Sequence, residues 1–157
     1  MTEKLRDSLL CLVLLVLAVG CGEAEPPPPS LTCGAMELRV RGDLAGEPVD
    51  EQAEVAGHTL ENSASDCHLD VYFEGGGRLH LEWAAPLTLG AEGSGSGYLN
   101  LFSHDGPNVG NSESDGLPSR VTLQQQAVGF VLRQLREPPY NSGDPVAGEL
   151  TGCATFE

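Results

Sequence analysis

Two short runs of alternating residues, separated by three glycines, constrain this chain more than any other feature. Cys67-His68-Leu69-Asp70-Val71-Tyr72-Phe73 alternates apolar and polar side chains, and so does Arg78-Leu79-His80-Leu81-Glu82-Trp83. A side-chain period of two is the mark of a strand with one buried face. Gly75-Gly76-Gly77 lies between the runs and supplies the positive φ that a tight turn needs. The pattern predicts a β-hairpin. Leu69, Val71, Phe73, Leu79, Leu81 and Trp83 face inward with Cys67, and His68, Asp70, Tyr72, His80 and Glu82 face outward. Two registers are open. In one, Asp70 lies opposite His80 and His68 opposite Glu82, which matches opposite charges across the strands. In the other, set by a three-residue turn, Glu74 faces Arg78 and Asp70 faces Glu82.

The chain beyond residue 33 carries further strand candidates at 36–42, 86–90, 97–103, 119–124 and 146–156. Segment 125–136 is ambiguous, because its apolar residues fit one face of a helix or of a strand. Gly129 weakens a helix there, and Phe130 and Val131 favour a strand, so a strand is expected. Loops rich in Gly, Asn, Asp, Ser and Pro separate these runs, at 92–97, 104–118 and 137–145. Many short strands with such punctuation predict an all-β fold: an antiparallel β-sandwich or barrel of about 7–8 short strands. The folded unit is expected at 33–157, a length that buries one core. No repeat of fixed period suggests a solenoid or propeller.

Charge excludes one class of partner. The chain has 23 Asp and Glu against 8 Lys and Arg, a net −15. Residues 1–20 hold two acids and two bases, so the remainder keeps the same excess, and it contains no lysine. Such a surface repels nucleic acid and anionic lipid headgroups and attracts cations or a basic partner.

The N-terminal residues have a different character. Lys4 and Arg6 precede an unbroken apolar run at 9–19. As a helix this run would span about 16 Å, short of the roughly 30 Å of a hydrocarbon core. It matches the apolar region of a secretory signal. Ala18-Val19-Gly20-Cys21 follows directly and resembles a lipobox, the motif of bacterial lipoproteins. The resemblance implies cleavage before Cys21 and acylation of its sulfur. Membrane attachment would then run through lipid, which anchors stably when two or three chains are present. Gly22 stands where Asp favours inner-membrane retention, so the resemblance implies the outer membrane. Residues 21–32 form a tether in which Pro26-Pro27-Pro28-Pro29 excludes helix and sheet. Extended as polyproline II, 22–31 would reach about 30 Å.

With Cys11 in the signal and Cys21 acylated, Cys33, Cys67 and Cys153 remain, an odd number for an oxidising compartment. Three pairings are open. Cys33–Cys153, at the two ends of the folded unit, is the expected one, leaving Cys67 free among the apolar residues of its strand. No spacing resembles a redox CxxC or a zinc quartet.

Chemistry is sparsely signalled. Asn111-Ser112-Glu113-Ser114-Asp115-Gly116 alternates oxygen-bearing residues before a glycine, as a calcium loop does. Asp105, Asn111, Glu113 and Asp115 are its candidate ligands, with Asn108 nearby, but the twelfth position is Thr122 rather than the bidentate Glu. An ordinary polar loop is the alternative. On the hairpin, His68, Asp70, His80 and Glu82 form either a transition-metal set or a solvated charged face. Gly93-Ser94-Gly95-Ser96-Gly97 has Gly where a nucleophile elbow needs Ser, and it reads as a turn. The sequence therefore predicts a membrane-anchored envelope lipoprotein that binds or scaffolds a partner, with no cofactor and no catalysis. A calcium- or metal-binding module is the alternative and an enzyme the third. A protein of the envelope is the expected partner, with the oligomeric state open.

Overall fold

The computed structural model describes residues 32–101, 106–111 and 117–157. Cys21, Pro26, Pro27, Pro28, Pro29, Asp105, Glu113 and Asp115 lie outside these residues. Nine antiparallel strands run in chain order: β1 (Glu37–Leu44), β2 (Glu47–Asn62), β3 (Cys67–Phe73), β4 (Arg78–Trp83), β5 (Glu92–Asn100), β6 (Asn108–Gly110), β7 (Ser119–Leu123), β8 (Ala127–Leu132) and β9 (Gly148–Thr155). No helix occurs among the described residues.

Eight strands close into a barrel in the order β1-β2-β3-β4-β5-β7-β8-β9, with β9 returning to β1. Strand β5 is the seam. One edge pairs with β4, and the other pairs with β7 over Glu92–Gly95 and with β6 over Tyr98–Asn100. An eight-stranded barrel is just wide enough for its own side chains to fill it. Leu38, Val40, Leu69, Val71, Leu79, Leu81, Leu99 and Leu150 do so, all fully buried. Within this ring each strand pairs with a neighbour on both sides over part of its length.

The expected hairpin is present. Asp70 lies opposite His80 and His68 opposite Glu82, so the charge-matched register is the one formed. Gly75, Gly76 and Gly77 all take positive φ in the turn. Segment 125–136 contains strand β8.

Several expectations need correction. Segment 86–90 is not a strand. The Asn62 side chain captures it instead, accepting from the Leu87 N–H at 2.9 Å and donating to the Leu87 carbonyl at 2.8 Å. Segment 92–97 is strand, not turn, and β5 ends at Asn100 rather than 103. Its glycines answer to neighbours. A Cβ on Gly95 would lie 2.4 Å from the Glu82 carbonyl oxygen, and one on Gly97 2.2 Å from that of His80. Segment 104–118, expected as loop, contains the short strand β6. The longest strand, β2, carries Glu47, Asp50, Glu51, Glu54 and Glu61 and no continuous alternation. Residues of low strand propensity hid it, and its pairing shifts register between Val55 and Gly57.

Cys33 and Cys153 form a disulfide, and Cys67 is free and half-buried. The bridge closes a loop of 120 residues. A loop that long constrains the unfolded chain by on the order of 5 kcal/mol in the chain-entropy model. The double variant Cys33→Ser/Cys153→Ser is expected to lose about 2–5 kcal/mol of unfolding free energy. Urea denaturation followed by Trp83 fluorescence checks this, and an unchanged midpoint would refute it.

Candidate functional site

Barrel closure lines up polar side chains on the outer wall of β3, β4 and β5. The pairs Asp70–His80 and His80–Tyr98 place these three residues in one row across the wall. His68, Glu82 and Ser96 form the next row.

Asp70 anchors the cluster. Its side chain is 8% exposed, and Arg78 donates to it through Nε at 2.7 Å and through its terminal nitrogen at 2.6 Å. His80 Nδ1 lies 2.7 Å from the same carboxylate, and His80 Nε2 lies 2.8 Å from Glu82 Oε1. Both nitrogens of His80 therefore face carboxylate oxygens. Burial alone would push the Asp70 carboxyl up. The hydrogen bonds from His80 and Arg78 outweigh it and hold the group below the usual carboxylate range. His68 Nδ1 meets Asp66 Oδ1 at 2.8 Å, and that hydrogen bond holds the His68 imidazole above its ordinary value.

Aromatic rings extend the cluster sideways. His68 and His80 are tilted at 6.2 Å, His80 stacks on Tyr98 at 5.2 Å, and Tyr98 stacks on Tyr140 at 4.9 Å. The Tyr140 hydroxyl donates to Asn108 Oδ1 at 2.7 Å. The Arg78 guanidinium lies 5.6 Å from the Tyr72 ring centre and 5.7 Å from that of Tyr98, within cation–π range. Burial pushes both the Tyr98 and the Tyr140 phenol up. An open groove of about 460 Å³ runs beside the stack, bounded by His80, Glu82, Ser96, Tyr98, Tyr140 and Asn141.

The remaining candidates are placed as follows. Asn111 is buried, and its side chain is engaged with the barrel: Oδ1 accepts from the Gly97 N–H at 3.0 Å, and Nδ2 donates to Ser119 Oγ and to the Arg133 carbonyl. Asn108 accepts from Tyr140. Both described members of the calcium-loop region thus turn their side-chain oxygens to protein donors. Among the described residues, no group of three or more His, Cys, Asp or Glu side chains is arranged to hold a metal ion. His68, Asp70, His80 and Glu82 are brought together, but as a hydrogen-bonded network with Arg78 and Asp66. Sequence reasoning missed Tyr98 and Tyr140. Tyr98 lay in a segment read with the wrong boundaries, and Tyr140 lay in a loop with no period to place it. Comparison with protein-family models, curated proteins and solved structures finds no match to this chain.

The Asp70 network makes a pH-dependent prediction. A carboxyl with a lowered native pKa adds stability that is fully present above its unfolded value and lost as pH falls through the native one. Asp70→Asn is therefore expected to cost about 2–4 kcal/mol at pH 7 and progressively less below pH 4. His68 has the opposite sign: its contribution is present below about pH 6.5 and fades as pH rises through its raised native value. Unfolding free energies measured from pH 2 to 9 test both. An Asp70→Asn deficit that is the same at pH 2 and pH 7 would contradict the Asp70 assignment.

Proposed function

We propose that this chain is a lipid-anchored cell-envelope protein whose barrel is a non-enzymatic binding module, presenting the β3–β5 wall to a partner. The stacked rings of His80, Tyr98 and Tyr140, with His68 tilted beside them, carry this reading. Stacked rings braced by Arg78 and Asp70 are fixed before any partner arrives, so little side-chain entropy is lost on contact. Tyr and Arg are also the residue types that most often dominate binding energy. The adjoining groove is rimmed by the acceptors Glu82 and Asn141, and the chain carries a net −15. Both features favour a basic, donor-rich protein surface in the envelope. A general base needs a nitrogen or oxygen turned toward a substrate. His80 has each nitrogen against a carboxylate, which supports recognition over catalysis. The lipid anchor rests on the apolar run and Ala18-Val19-Gly20-Cys21.

Cross-linking of the intact protein in its own envelope tests the binding reading. A specific cross-linked partner is expected with the wild type, and Tyr140→Ala is expected to weaken capture at least tenfold, the effect of losing about 1.4 kcal/mol. Equal capture by Tyr140→Ala at an unchanged melting temperature would reject the ring stack as the contact surface. For the anchor, Cys21→Ser is expected to abolish metabolic acyl labelling and processing. Normal labelling of that variant would reject it.

A further inference from the structure

The outer wall already shows how it holds a guanidinium. Arg78 meets the Asp70 carboxylate through Nε and a terminal nitrogen, and it lies beside the Tyr72 and Tyr98 rings. A planar cation that forks onto a carboxylate and rests against aromatic rings is the habit of arginine rather than of lysine. The wall carries a second carboxylate in comparable surroundings. Glu82 borders the same groove as Tyr98 and Tyr140. Its side chain is 43% exposed, whereas that of Asp70 is 8% exposed.

Glu82 is engaged from within by His80. The ring spans both carboxylates, with Nδ1 2.7 Å from Asp70 Oδ1 and Nε2 2.8 Å from Glu82 Oε1. With both carboxylates ionised, each bond needs an N–H. Imidazolium has two and neutral imidazole has one. The two bonds therefore stand together only while the ring carries its second proton. When that proton leaves, one nitrogen turns a lone pair on a carboxylate, and burial decides which. Asp70 is buried and cannot turn to water, so the remaining N–H stays with it. Glu82 reaches solvent and is the one released.

The other groups facing His80 have fixed roles. On β3, Asp70 is held by Arg78, and His68 is bonded to Asp66. Tyr72, also on β3, lies against the Arg78 guanidinium. On β5, Tyr98 stacks on the His80 ring, with Tyr140 beyond it. On β4 itself, Arg78 is committed to Asp70. Glu82 is the exposed carboxylate that can change hands.

We propose that Glu82 is a shared acceptor: an arginine of the partner protein takes it from His80 and rests beside Tyr140, and the second His80 proton departs to solvent as the arginine arrives. The exchange rests on the β3–β5 wall being the contact surface, and it adds what the partner brings and how pH governs the contact. One cation enters and one proton leaves, so the charge of the wall is conserved. Linkage makes the effect reciprocal. Binding expels the proton, and loss of the proton strengthens binding, so affinity rises with pH.

NMR titration of the full chain with acetyl-arginine amide tests this, read at the Glu82 and Ser96 amides and at the His80 ring. Saturable shifts are expected, with an affinity that rises about fivefold or more from pH 5.5 to pH 8. At a fixed pH midway through the His80 transition, the probe is expected to move the ring resonances toward those of neutral imidazole. Glu82→Gln is expected to weaken the probe at least tenfold at pH 8. His80→Gln is expected to bind it with a flattened pH response, and where that variant melts early the ring shift of the wild type decides. No binding at pH 8, a His80 ring unmoved at saturation, or a full pH response in folded His80→Gln would overturn the exchange. Envelope capture that still depends on Tyr140 would in each of these cases leave the wall as the contact surface, and loss of that dependence would remove the surface itself.

Discussion

The barrel closes at β5, where backbone meets backbone without side chains between them. Gly95 and Gly97 sit against the carbonyls of Glu82 and His80, and any Cβ there would lie well inside van der Waals contact. This close approach sets the β4–β5 register, and through it the rows that cross the outer wall. The opposite edge of β5 then takes two partners in succession, β7 and β6. Asn111 secures the second of these by accepting the Gly97 N–H. A side chain at either glycine would press on the β4 backbone and force the two strands to shift.

The polar cluster is a consequence of that register. Asp70 and His80 face each other because β3 and β4 pair as they do, and Tyr98 joins them because β4 pairs with β5. Burying a carboxylate is unfavourable unless donors replace the lost water. Arg78 and His80 supply them, and each is in turn braced by an aromatic ring. Electrostatics and stacking therefore hold one another in place. The wall presents these side chains as one connected network rather than as separate exposed groups.

What could be read from the chain divides along physical lines. The β3–β4 hairpin was legible because its alternation is complete and its turn is glycine. The charge-matched pairing of Asp70 with His80 was one of two registers, and only the turn geometry selected it. Strand β2 was not legible. Its acids are held by long pairings to β1 and β3, a tertiary effect no local pattern reports. The glycines of β5 misled because glycine marks both turns and close strand contacts. Arithmetic on the cysteines left three pairings open, and the place of Cys33 and Cys153 at the two ends of the folded unit favoured the one that forms. Tyr140 came to the site through a loop, and its partner Tyr98 belonged to a strand whose limits were misread.

The position of the disulfide has a mechanical consequence. Cys153 lies within β9, flanked by β1 on one side and β8 on the other. Tension applied to the segment upstream of Cys33 passes through sulfur into that strand, bypassing residues 34–36 and the start of β1. The load therefore enters β9 within its length, where ladders to β1 and β8 flank it on both sides, rather than at the end of β1. Whatever the N-terminal segment is fastened to, the domain is gripped at a reinforced point in its wall.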